Sequence, residues 1–193
     1  MNYNLTRLGS ARFEHLTQSL AVAALGPGIE VFGDGPDGGR EASFEGNFEL
    51  QTGSKWSGYG VLQAKYKAQL DGMSLDQTWF FAQVRSELDG WVKARSNRRR
   101  APQYLLLATN VRLSGVADTG GIDRLDNLLK EFAERGLRLK GYQVWHADKI
   151  RALLDNHYDV RRAYADLVLP GDVSCRVQWR LGTDASTVAG AWW

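Results

Sequence analysis

Tyr59-Gly60-Val61-Leu62-Gln63-Ala64-Lys65-Tyr66-Lys67 is the stretch on which the fold turns. Apolar and polar residues alternate through it, the mark of a β-strand with different surroundings on its two faces. Residues two apart in a strand point the same way, so Gln63 and Lys65 project together and Ala64 points to the other side. A lysine in mid-strand needs a reason, because its ammonium is costly to take out of water. Beside a metal ion and a phosphate it has one: it can stabilise negative charge on the phosphorane or orient an attacking water. A solvated strand face accounts for the same two residues if they are taken alone.

Upstream, Gly33-Asp34-Gly35-Pro36-Asp37-Gly38-Gly39 is too rich in glycine and proline for helix or strand and is read as a turn. Asp37 sits in it, leading into the strand expected over 40–48, where backbone can approach a ligand closely. Magnesium takes one or two carboxylates together with water and phosphate oxygens. If the strands on either side of the 51–58 loop are neighbours, Asp37 or the nearby Glu41 comes beside the Gln63–Lys65 face. Asp-Gly is also a common plain turn.

Outward from this centre the pattern is alternately helical and extended. A helix is expected over 9–25, closed by Gly26-Pro27-Gly28, with a short strand at Ile29–Phe32. A long helix follows over 75–96, with Leu75, Trp79, Phe80, Val84, Leu88, Trp91 and Val92 on one broad apolar face. Tyr104–Ala108 is a continuous apolar strand of the kind buried on both faces. Ile122, Leu125, Leu128, Leu129 and Phe132 mark another helix closed by Gly136, then a strand over 137–145. Asp148 is expected to cap a helix through Leu154, with a further helix over 158–168. The order implies an α/β sandwich, helices on both sides of a mixed sheet. Residues 1–173 make one domain; after Pro170-Gly171 the pattern fails, and 174–193 read as a tail of uncertain structure.

Length and composition suit one soluble domain with a sizeable core. No apolar run approaches the ~18 residues that span a bilayer, and the N-terminus lacks the basic and apolar regions of a secretory signal. The single Cys175 offers neither a disulfide nor a zinc cluster, which fits a reducing cytoplasm. The net charge of +2 says less than its distribution: Lys93, Arg95, Arg98, Arg99 and Arg100 fall in eight residues without an acid. Such a run suits the phosphate backbone of a nucleic acid, and equally a solvated helix end. His15, His146 and His157 are too scattered for a metal set, and Trp79 and Trp91 belong with the core. Ser10, Ser174 and Cys175 have no visible base partner. The glycine-rich turn lacks the Gly-Lys-Ser/Thr ending of a P-loop.

Gly35-Pro36-Asp37-Gly38-Gly39-Arg40-Glu41 followed by Gln63-Ala64-Lys65 resembles the PD-(D/E)xK nuclease pattern, in the Mrr-like variant with glutamine opening the second motif. Glu14, in Phe13-Glu14-His15-Leu16, matches the early helical glutamate frequent there. Thr109–Gly115, Val144–Asp148 and Pro170-Gly171-Asp172 resemble the N-terminal nuclease-like regions attached to bacterial STAND-type NTPases of antiphage defence. The resemblance implies a restriction-endonuclease-like α/β/α sandwich and a cytoplasmic endonuclease that hydrolyses double-stranded DNA with Mg2+ or Mn2+. Asp37 would ligate the metal, Lys65 would act on the water or transition state, and Glu14 would support the metal site. Gln63 stands where an acidic ligand is usual, so Glu14 or Glu41 is expected to supply the missing charge. A STAND NTPase sensor, in the same or a related chain, is the implied partner, and a homo-oligomer is a further expectation. Two alternatives stand beside it: a nuclease-fold module that binds nucleic acid or a protein without cutting, and a structural or oligomerising effector domain active only when an attached sensor clusters it.

Overall fold

The structure is a computed structural model that describes residues 3–31, 42–50, 53, 55–93, 100–116 and 120–167. Asp37, Glu41, Arg95, Arg98, Arg99 and the expected tail lie outside them. The elements in chain order are α1 (Gly9–Leu25), β1 (Ile29–Val31), β2 (Ala42–Glu49), β3 (Lys55–Lys65) and α2 (Met73–Val92). Then come β4 (Tyr104–Thr109), α3 (Gly121–Glu134), β5 (Gly141–Trp145), α4 (Ala147–Asn156) and α5 (Tyr158–Ala163).

The five strands form one sheet in the order β1-β2-β3-β4-β5. The first three pair antiparallel, and β4 and β5 join parallel to β3. The connections account for the change: parallel neighbours need a crossover of a dozen or more residues, and α2 and α3 supply the two crossovers.

Each face of the sheet is covered. Leu62, Ala64, Leu106 and Ala108 pack with Phe13, Leu16 and Leu20 of α1 and with Ile150, Leu153 and Leu154 of α4. On the other face Leu105 and Leu107 meet Phe80, Val84 and Leu88 of α2 and Leu125, Leu129 and Phe132 of α3. All six residues of β4 are buried, as a strand between two helical layers requires. The expected α/β architecture with a mixed central sheet is therefore present.

Several boundaries differ from the sequence pattern. Of the segment expected as a loop over 51–58, residues 55–58 belong to β3, where Lys55, Trp56 and Gly58 pair with Glu49, Phe48 and Gly46. Lys-Trp-Ser-Gly carries no strand pattern of its own; the β2 ladder and the burial of Trp56 impose one. The final strand begins at Gly141 rather than 137, because Leu137 first turns back to donate its N–H to the Phe132 carbonyl at 3.0 Å. His146, not Asp148, is the N-cap residue of α4; Asp148 lies in the first turn and accepts a hydrogen bond from Arg151 at 2.6 Å. Leu75, expected on the apolar face of α2, is 64% exposed in the helix's first turn.

The two ends of the described chain are tied together. The Tyr3 hydroxyl donates to Asp155 at 2.8 Å, and the Asn4 N–H to the Leu167 carbonyl at 3.0 Å. Burial first, then the hydrogen bond to Asp155, pushes the Tyr3 hydroxyl up to about 12. That lies above the unfolded value of roughly 10, so its stabilisation is complete below about pH 10 and is lost as pH rises toward 12. Tyr3→Phe is expected to cost about 1 kcal/mol at neutral pH and to flatten the alkaline loss. Urea melts of both proteins on either side of pH 10 check this; an unchanged alkaline slope would assign the loss to other groups.

Candidate functional site

Strand alternation and helix periodicity meet at one place. Gln63 and Lys65 leave β3 on the face that α2 covers, and Glu87 of α2 comes down between them. The Gln63 Nε2 donates to Glu87 Oε2 at 2.9 Å, and Lys65 Nζ lies 2.7 Å from Glu87 Oε1. Gln63 is wholly buried, while the Lys65 and Glu87 side chains are 14% and 16% exposed. The three groups are thus mostly withdrawn from water yet still reachable at one edge. Glu87 holds this position because it follows Val84 by one turn and precedes Trp91 by another, on the flank of the buried stripe of α2.

Lys67, two residues on, belongs to a different cluster. Its Nζ contacts Asp71 at 2.7 Å and Asp76 at 2.5 Å. The Asn110 side chain brackets its backbone, accepting from the Lys67 N–H and donating to the Lys67 carbonyl, both at 2.8 Å. An amide side chain here carries the β3–β4 pairing one step beyond the strands. Burial acts to raise the Asp76 carboxyl, but the Lys67 ammonium and the Asp71 N–H outweigh it and leave the group below its usual range. Lys67 is fixed as part of the scaffold.

The segment that contains Asp37 and Glu41 leaves the described chain at Val31 and rejoins it at Ala42. Those two residues pair with each other, and Ala42 pairs with Leu62, the residue before Gln63. Glu14 is half-buried on α1, the helix on the opposite face. Its neighbour Phe13 packs on Tyr66, with ring centroids 5.5 Å apart, so α1 meets β3 at the end where Lys65 lies.

Of the basic run, Lys93 is the exposed C-cap of α2. Arg100 is engaged within the chain: both terminal guanidinium nitrogens donate to Glu45 at 2.7 Å, and the group lies 4.1 Å from the centre of the Tyr59 ring. Together with Gly28, Glu30 and Ser43 these residues line an open depression of about 580 Å³. His15 is exposed, while His146 and His157 stand at the starts of α4 and α5. Burial lowers the His146 pKa, favouring neutral imidazole. Trp79 and Trp91 are half-buried against the α2–α3 core. Among the described residues no three histidine, cysteine or carboxylate side chains gather as a metal cluster. Among those residues, too, no helix is long and apolar enough to cross a membrane.

Glu87 is the site residue that the sequence does not reveal. Its one signal is a charge at the margin of an apolar helical stripe, and such residues usually face solvent. Only the packing of α2 over β3 turns it inward. Comparison with protein-family models, curated proteins and solved structures finds no match. The chain stands as an α/β protein with a five-stranded mixed sheet and helices on both faces.

Proposed function

We propose that this chain is a metal-dependent DNA endonuclease domain of the restriction-endonuclease-like class. The observation that carries the proposal is the pairing of Gln63 and Lys65 at one end of β3 around an inward-facing carboxylate. That end lies beside the point where the Asp37-bearing segment joins β2. Asp37 is five residues from Ala42, within roughly 17 Å even for a fully extended chain. A helix, an antiparallel three-strand unit, a crossover helix and a parallel strand, in that order, are what the nuclease reading requires.

The donor set suits a hard divalent cation. Asp37 and the Gln63 amide oxygen are oxygen ligands of the kind Mg2+ or Mn2+ accepts, with Glu41 as a further carboxylate; Glu14 stands on α1, which covers the face of the sheet opposite Gln63 and Lys65. The bound ion would supply Lewis acidity and an activated water. Lys65 would place its ammonium against the non-bridging oxygens of the scissile phosphate, where charge grows in the transition state. Exposed Lys93, with Arg95, Arg98 and Arg99 beyond it, would meet the backbone of double-stranded DNA. A role as a cytoplasmic effector of antiphage defence, clustered by a STAND NTPase sensor, extends the same proposal.

A second reading has its own observation: Lys65 is already paired, as it would be in a module that binds nucleic acid without cutting. Supercoiled plasmid incubated with the domain, free and fused to a dimerising partner, separates the two. Nicking that needs Mg2+, stops with EDTA and is abolished by Asp37→Ala supports the nuclease. Duplex binding with no cleavage by either form assigns the binding module.

A further inference from the structure

We infer that Glu87 is a positioning residue that supplies from α2 the negative charge that position 63 of β3 lacks. The inference rests on the nuclease reading of this site and names how its glutamine is made to serve.

A carboxylate only accepts hydrogen bonds, so the 2.9 Å contact from Nε2 fixes the Gln63 amide with nitrogen toward Glu87. The amide is planar, and its carbonyl oxygen is therefore turned away from Glu87. Gln63 is wholly buried, which leaves the amide no room to exchange its two ends through solvent. The other oxygen of the same carboxylate takes Lys65 Nζ at 2.7 Å. One glutamate thereby sets two neighbouring groups of β3: an amide whose oxygen is directed away from it, and an ammonium held against it at 2.7 Å.

Electrostatics supports the same assignment. Lys65 and Glu87 are only 14% and 16% exposed, so the pair is partly desolvated and each charge depends on the other. Of the three groups Gln63, Lys65 and Glu87, one is positive and one is negative. Whether the negative group stands on residue 63 or residue 87 is immaterial to that balance, provided the hydrogen bond between them survives. Exchanging the two side chains preserves both features. A carboxylate at position 63 would accept from an amide at position 87 and stand two residues from Lys65 on the same strand face.

The test compares wild type, Glu87→Gln, and the exchange variant Gln63→Glu with Glu87→Gln. Three measurements are made: plasmid-cleavage kinetics, affinity for Mn2+ alone by electron paramagnetic resonance, and thermal unfolding. In the single variant the amide at position 87 offers one acceptor oxygen to two donors. Glu87→Gln is therefore expected to lower kcat by about 10- to 100-fold with little change in KM, and to weaken Mn2+ binding about tenfold. The exchange variant is expected to recover both to within about fivefold of wild type. Recovery of melting temperature without recovery of kcat or Mn2+ affinity would make Glu87 a merely structural partner and overturn the inference. So would Mn2+ affinity and kcat unchanged in Glu87→Gln. If wild type binds Mn2+ but does not cut, the nuclease reading fails while the Mn2+ series still decides Glu87. A wild type that neither cuts nor binds Mn2+ overturns both. If Glu87→Gln alone does not fold, the exchange variant carries the comparison.

Discussion

Replacing Lys65 with methionine is expected to reduce Mg2+-dependent plasmid cleavage by about 10²- to 10³-fold, the range seen when one preorganised transition-state donor is removed. Methionine keeps an unbranched apolar stem against the sheet, so the change is chiefly loss of the ammonium. Its loss has a second consequence. Glu87 then keeps its charge in a mostly buried pocket without its cationic partner, and a phosphate entering there meets a net negative site. Duplex affinity should fall with the rate, and the protein should melt at a lower temperature. Adding Glu87→Met removes the stranded charge. The double variant is expected to regain stability and some duplex affinity, yet remain slow. Initial rates, duplex binding and thermal melts on wild type, both single variants and the double variant read out each part. A Lys65→Met rate within about threefold of wild type would remove Lys65 from the chemistry.

Gly60→Ala should be strongly damaging to the sheet, with a cost of about 3 kcal/mol or more. Gly60 stands directly between Phe44 of β2 and Tyr104 of β4 in the strand register. A Cβ at this position would lie 2.0 Å from two atoms of the Phe44 ring. The ring is held between two other aromatic side chains. It meets Phe48 edge-on at 4.9 Å and stacks near Trp56 at 5.9 Å, and Trp56 in turn stacks on Tyr104 at 5.0 Å. Gly60 is thus the floor on which an aromatic row crosses three strands. The added methyl forces Phe44 off its place and the whole row with it. Since Gln63 lies three residues further along the same strand, Gly60→Ala should also depress cleavage through misplacement of β3. Chemical denaturation measures the stability loss. A cost below about 1 kcal/mol would mean that the row can shift, contrary to its close packing.

Much of the fold is legible in the sequence because it rests on local periodicities. The apolar run Tyr104–Ala108 announces a strand buried on both faces, and the stripe Phe80, Val84, Leu88 announces the helix that covers one of them. What is not legible depends on partners distant in the chain. Lys55–Gly58 has no strand pattern and is a strand because β2 lies beside it. Asp148 has the chemistry of a helix cap, yet the backbone already enters α4 at His146.

The stretch Tyr59–Lys67 shows the same division within the candidate site. Two-residue alternation alone determined that Gln63 and Lys65 share a face, since the pleat leaves a strand no other arrangement. It did not determine what that face would meet. That α2 crosses it, that Glu87 rather than a solvent molecule answers both side chains, and that Lys67 is drawn instead to Asp71 and Asp76 were decided by tertiary packing. The reason is physical: a local period fixes direction, but a hydrogen-bond partner 24 residues away is fixed only when two elements are pressed together by the apolar residues between them.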